Sequence, residues 1–60
     1  TSDNIEKMIQ QDIEGERGAI QQYKMHMQMI QDIHVNRVLH RIIQDEEYHI
    51  MLLQAAVKMC

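Results

Sequence analysis

The sequence predicts an all-α protein in which an antiparallel two-helix hairpin dimerises into a four-helix bundle. The 60-residue chain contains no proline, two glycines and two aromatic residues, and this composition favours helices over strands. Apolar residues recur at alternating steps of three and four in two long segments with a short break between them. A chain this short buries only about 60% of its unfolded surface, so its fold needs a further stabilising element. Because Cys60 is the only cysteine, we expect a metal or a second chain rather than a disulfide.

The first segment predicts a helix over residues 3–31, and residues 32–34 are expected to form a turn. The inward positions of this helix are Ile9, Ile13, Glu16, Ile20, Tyr23, Met27 and Ile30. The apolar pattern restarts in a new phase after Ile30, and Asp32 is a suitable N-cap for a second helix.

The second segment predicts a helix over residues 35–58. Its inward positions are Val35, Leu39, Ile42, Glu46, His49, Leu53, Ala56 and Cys60, and a flanking row of Ile43, Ile50 and Val57 widens the apolar stripe. The short connection makes the two helices antiparallel neighbours, so residues 1–60 are expected to form a single helical hairpin domain. A lone hairpin leaves apolar surface in water. We therefore expect a homodimer at minimum, and the additional apolar flank leaves room for a larger homo-oligomer.

Three polar residues, Glu16, Glu46 and His49, interrupt the two apolar rows at matching heights. Charged helix residues usually form a solvated patch, but an unpaired carboxylate inside an apolar row costs several kcal/mol. Glu46 and His49 are spaced as E-x-x-H and project from the same side of a helix. A two-fold dimer would bring together four carboxylates and two imidazoles, which suit two divalent metals such as iron or manganese.

Two motifs carry a family resemblance: Glu16-x-x-Ala19-x-x-x-Tyr23, and Asp45-Glu46-x-x-His49. Together they resemble the ferritin-like di-iron superfamily, which includes the rubrerythrins and bacterioferritins. With one helix pair, the chain is most similar to the encapsulated ferritins, in which two subunits build a ferroxidase centre at their interface. The resemblance implies a ferritin-like four-helix bundle with Glu16, Glu46 and His49 as iron ligands and catalytic residues. It also implies that Tyr23 donates a hydrogen bond to a ligand carboxylate.

The function expected from this resemblance is that of a di-iron ferroxidase, which oxidises Fe(II) to Fe(III) with dioxygen for iron storage or detoxification. Manganese or another divalent metal is an alternative occupant of the centre. Two other functions stay open: peroxide scavenging of the rubrerythrin type, and a non-catalytic structural or interaction hairpin. Copper binding by Met25, Met27 and Met29 is disfavoured because Met27 points away from the other two on a helix.

The expected partners are further copies of this chain, and an encapsulin shell if the encapsulated-ferritin resemblance holds. The formal charge of −3 includes no basic block, so nucleic acid is a poor candidate partner. No apolar run approaches the roughly 20 residues of a membrane span, and a cytoplasmic location, within an encapsulin compartment or outside one, is expected. Gly15 and Gly18 each cost a helix about 1 kcal/mol relative to alanine, so we expect close helix approach or room beside the metal at these positions.

Overall fold

The structure is a computed structural model that describes residues 3–59. It consists of two long helices and the short turn between them. Helix α1 spans Asp3–Met29 and helix α2 spans Ile33–Met59. The helices pack against each other along their length as a hairpin, and no strand occurs within residues 3–59. The hairpin is a thin rod with extents of 45 × 14 × 9 Å. The all-helical hairpin is therefore confirmed, although α1 ends two residues before the predicted position 31 and α2 begins two residues before position 35.

The start of α2 is fixed by Asp32, the residue immediately before the helix. Its Oδ1 accepts hydrogen bonds from the backbone amides of His34, at 2.9 Å, and Val35, at 3.0 Å. These amides belong to the first turn, where no carbonyl inside the helix can serve as their acceptor. The predicted N-cap is therefore confirmed, and caps of this type stabilise a helix by about 1 kcal/mol.

The end of α1 is held by Asn36, a half-buried residue in the first turn of α2. Its side-chain Nδ2 donates to the carbonyl oxygen of Ile30 at 2.9 Å and lies 3.4 Å from that of Met27. Carbonyls at the end of a helix have no partner within it, so the Asn36 amide satisfies them from outside. The closing interaction of the first helix thus comes from the second.

Helix α1 presents the predicted row of residues to α2. Ile13 is 2% exposed and Ile20 is 8% exposed. The other members of the row are all half-buried: Ile9, Glu16, Tyr23, Met27 and Ile30. The inward face predicted for the first helix is confirmed at every position.

Helix α2 agrees with the prediction at five inward positions, which are all half-buried, and differs at two: the five are Leu39, Ile42, Glu46, Leu53 and Ala56. Ile43, predicted on the flank, is 5% exposed, and Ile50 is half-buried, whereas Val35 is 42% exposed and His49 is exposed. The inward placement of Val35 and His49 is therefore wrong for the single hairpin, and Cys60 lies outside the described residues. The reason is geometric: neighbouring residues on a helix differ by about 100° in direction, and a single partner helix covers only one side. The row that contains Ile43 faces α1, and the row that contains His49 lies at its open margin.

The hairpin leaves most of its large apolar side chains accessible. Within residues 3–59 the fully buried hydrophobic residues are Ile13, Ile20 and Ile43. Eleven large hydrophobic residues are exposed: Ile5, Met8, Met25, Met29, Ile33, Val35, Val38, Tyr48, Met51, Leu52 and Met59. A surface with this much accessible apolar area is typical of a protein that associates with a partner. Neither helix contains a stretch that is long and apolar enough to cross a membrane within the described residues.

Candidate metal centre

Glu16 lies midway along α1 and faces α2. It follows Ile13 by three residues and precedes Ile20 by four, and residues at these spacings share one side of a helix. Since both isoleucines are buried against α2, the Glu16 carboxylate is directed into the same contact, and its side chain is 27% exposed. The Oε2 atom is inaccessible to solvent and accepts no hydrogen bond. A buried carboxylate oxygen without a partner is costly unless a cation or proton occupies the space beside it.

Helix α2 supplies the other two members of the cluster. Glu46 follows the buried Ile43 by three residues, so it faces α1 and is half-buried. His49 is displaced toward the open margin, where its side chain is 51% exposed. The distance from His49 Nδ1 to Glu16 Oε2 is 3.9 Å, which is too long for a hydrogen bond. The imidazole thus stands beside the unpaired carboxylate oxygen without satisfying it.

The three side chains converge on one point. Each offers a ligand atom, and these atoms all lie within 4.8 Å of one another. An ion placed centrally among them would lie at most about 2.8 Å from each, compared with the 2.0–2.2 Å of zinc bonds to carboxylate and imidazole ligands. Inward movement of well under 1 Å would close this gap, which rotations about glutamate side-chain bonds can supply. The structure therefore brings together the residues that the sequence predicted as ligands, in a group that can hold a metal ion.

The charges in this cluster are unbalanced. Within residues 3–59 no lysine or arginine forms an ion pair with Glu16 or Glu46; the arginine ion pairs are Arg17 with Glu14 and Arg41 with Asp45. The ligand oxygens of the two carboxylates lie within 4.8 Å of each other, and unit charges at that limiting distance repel by about 1 kcal/mol at the dielectric constant of water and by about 3.5 kcal/mol at an effective value of 20. A divalent cation between them would replace this repulsion with attraction.

Known proteins provide no further assignment. Comparison of the chain with protein-family models, curated proteins and solved structures gives no match. The ferritin-like family, the iron chemistry and the encapsulin shell therefore stay predictions that rest on the motifs around Glu16 and Glu46. The geometry described above is independent of that resemblance, because it follows from the positions of the side chains alone.

The ligand set from one chain is incomplete for iron or manganese. Metals of this type commonly take six ligands, and three side chains supply only three to five donor atoms even when the carboxylates bind through both oxygens. The open side of the cluster is the side on which His49 is exposed. Additional ligands would therefore approach from that side, as water, substrate or residues of a second chain.

Tyr23 and the two glycines are placed differently from the ligands. Tyr23 is half-buried on the Glu16 side of α1, but its hydroxyl forms no hydrogen bond within residues 3–59, so its predicted contact with a ligand carboxylate stays a prediction.

A Cβ added at Gly15 or Gly18 would meet no atom within 4 Å. The expected close helix approach at these glycines is therefore wrong within the hairpin, and room beside a metal or contact with a second chain remains as their explanation.

The residues flanking the cluster behave as solvent-facing charges. Asp45 and Glu47, which lie next to the Glu46 ligand in sequence, are both exposed, and Asp45 Oδ1 lies 3.6 Å from Arg41 Nε. No other group of three metal-ligating side chains occurs in the part of the chain that the structure describes. The three residues selected from the sequence thus lie together, and their role as ligands stays a prediction. The sequence analysis missed the Asn36 amide, whose role depends on a contact between helices that no local pattern reveals.

Proposed function

We propose that Glu16, Glu46 and His49 form half of a di-metal centre that two copies of the chain complete, and that this centre oxidises Fe(II). One observation carries the proposal: the three ligand atoms converge within 4.8 Å around a buried carboxylate oxygen that has no other partner. Carboxylate and imidazole ligands suit iron and manganese better than they suit copper(I). The E-x-x-H spacing and the position of Glu16 support the same interpretation, since di-iron four-helix bundles use this ligand set.

The surface around His49 supports a second copy as the source of the missing ligands. Residues 35, 42, 49 and 56 recur every seven positions and therefore follow one line along α2. Apart from His49, the members of this line are apolar: Val35, Ile42 and Ala56. A second hairpin seated on the line would cover it and bring its own three ligands to the first set. Four carboxylates would then balance the charge of two divalent cations.

Oxidation follows from the chemistry that such a site favours. Two Fe(II) substrate ions bound side by side can give one electron each, so that dioxygen and two protons yield hydrogen peroxide while both ions become Fe(III). The carboxylates of Glu16 and Glu46 bind the more highly charged Fe(III) more strongly than Fe(II), which favours the loss of the electron. His49 provides a neutral ligand and completes the chelate with Glu46.

The test compares iron oxidation in the parent protein and in two variants, Glu46→Ala and His49→Ala. Fe(II) is added without oxygen, air is admitted, and the absorbance of the Fe(III) product is followed in the near ultraviolet. We expect rapid oxidation in the parent and a rate close to that of iron in buffer for both variants. Asp45→Ala is the matched control because Asp45 is an adjacent carboxylate outside the cluster, and this variant should oxidise iron at the parental rate. Equal rates in the parent and in Glu46→Ala would overturn the proposal.

A further inference from the structure

A second apolar row runs along the C-terminal half of α2, on the side opposite α1. We call it the outer stripe, and its residues are Tyr48, Met51, Ala55 and Met59. All four are exposed, and the three large side chains are 55%, 57% and 86% exposed in chain order. Their spacing of three, four and four residues places them on one side of the helix. The stripe is therefore a continuous apolar surface rather than a scatter of single residues.

The outer stripe is separate from both surfaces described above. Tyr48 precedes the half-buried Ile50 by two residues, and Ala55 precedes the half-buried Val57 by two. Residues two apart on a helix point in directions about 200° apart, so the stripe faces away from α1. Met51 follows His49 by two residues and is likewise directed away from the metal-centre surface. A second hairpin seated on His49 would thus leave Met51, in the middle of the outer stripe, in water.

The charges beside the stripe indicate which partner it fits. Glu47 immediately precedes Tyr48, and Lys58 immediately precedes Met59. Lys58 follows Glu47 by eleven positions. This spacing is about three helical turns, so both side chains lie along the same edge of the stripe. Both are exposed, and neither forms an ion pair within residues 3–59. An acidic residue near one end of the stripe and a basic residue at the other make the surface complementary to itself in the reversed direction.

We propose that the outer stripe packs against the outer stripe of a second copy of this chain, with the two α2 helices antiparallel. A two-fold axis perpendicular to the helices then places Glu47 of each chain opposite Lys58 of the other, so the contact contains two equivalent ion pairs. Met51 and Ala55 lie between these pairs, near the axis. This contact involves none of the metal-ligating residues. A hairpin that uses both surfaces joins two neighbours and builds an assembly larger than a dimer.

The decisive experiment reverses one of the two charges in each of two variants, Glu47→Lys and Lys58→Glu. Both variants carry Cys60→Ser, which prevents disulfide formation. Glu47→Lys places lysines opposite lysines in its own assembly, and Lys58→Glu places glutamates opposite glutamates. We expect each variant alone to associate about tenfold to a hundredfold more weakly than the parent, as judged by sedimentation velocity in the presence of a chelator. An equimolar mixture of the two variants has opposite charges at both positions of the mixed contact, so its association should return to the parental level.

Met51→Glu tests the apolar part of the contact. It should abolish the same association, because two carboxylates would lie near the axis. Met25→Glu is the matched control, since Met25 is 59% exposed, like Met51 at 57%, but lies on α1. Circular dichroism establishes that each variant remains helical. The proposal is overturned if the mixture sediments like its separate components, if Met51→Glu associates like the parent, or if the stripe proves to bind a different protein in place of a second copy. None of these outcomes depends on metal binding, so failure of the iron chemistry would be recognised separately.

Discussion

Replacement of Glu16 by glutamine should change stability in opposite directions with and without metal. Glu16→Gln retains the size and shape of the side chain while removing one of two carboxylates that pair with no lysine or arginine within residues 3–59. At the limiting separation of 4.8 Å, the repulsion between the two charges is about 1–3.5 kcal/mol over the range of effective dielectric constants from 80 to 20. Because Glu16 is 27% exposed and the cluster is open on one side, the expected gain for the metal-free protein is about 1–2 kcal/mol.

Bound metal should make the parent protein more stable than Glu16→Gln. A ligand present at 100 times its dissociation constant stabilises the folded state by about 2.7 kcal/mol, and the parent should gain this amount from Mn(II) while Glu16→Gln gains little. For a domain of this size about 1 kcal/mol corresponds to a shift in Tm of about 4–8 °C, so both effects are measurable.

The assay is thermal unfolding followed by circular dichroism at a fixed protein concentration, first with a chelator and then with Mn(II), which does not oxidise in air on this timescale. Glu14→Gln is the matched control: Glu14 is exposed, lies outside the cluster and pairs with Arg17 at 3.1 Å. It should lose less than about 1 kcal/mol in both conditions and retain the parental response to metal. A Tm for Glu16→Gln below that of the parent in the chelator would contradict the charge repulsion at Glu16. An equal rise in Tm with Mn(II) in the variant and the parent would contradict metal binding by its carboxylate.

Three further substitutions test the helical framework by thermal or urea unfolding in the presence of a chelator. Asp32→Ala removes the acceptor for two amides and should lower the unfolding free energy by about 0.5–2 kcal/mol; an unchanged value would contradict the capping role. Ile13→Val removes one methyl group from a side chain that is 2% exposed and should cost about 0.5–1.5 kcal/mol, whereas Ile5→Val, at a position that is 48% exposed, should cost much less. Gly18→Ala adds a Cβ in open space and should stabilise the hairpin by about 1 kcal/mol, so a destabilised variant would show that another helix approaches this position.

The sequence predicted the α1 face completely because this helix has one apolar row and one neighbour. Ile9, Ile13 and Ile20 repeat at helical spacing, and polar residues outnumber apolar ones on the other sides, so one orientation buries the row. The same reasoning identified Glu16, since a carboxylate between Ile13 and Ile20 must face the same partner. Local periodicity was sufficient at these positions.

The orientation of α2 was predicted less completely because this helix has two adjacent apolar rows. Ile43 and Ile50 form one row and Ile42 lies in the other, and periodicity alone does not determine which of them a single partner covers. The choice depends on packing against α1, which is a property of the assembled hairpin. The same ambiguity placed His49 inside the contact, whereas in the single chain it lies at the margin. An apolar helix that is wider than one contact requires is expected for a protein with more than one partner surface.

The amide of Asn36 illustrates a second limit. Asparagine near the start of a helix is common as a cap of its own helix, but here its side chain donates to Ile30 of the preceding element at 2.9 Å. That contact depends on the angle at which the chain reverses, which no spacing in the sequence specifies.

Native mass spectrometry tests whether two copies share the metal centre, because it measures the number of chains and the number of metal ions in the same particle. The protein is loaded with Mn(II) in a Glu47→Lys background, which weakens the outer-stripe contact and isolates the metal-centre interface. We expect a dimer that carries two ions, and metal-free protein when Glu46→Ala or His49→Ala is added. A single chain that retains its ion, or a dimer that keeps both ions after these substitutions, would contradict a centre shared between two copies.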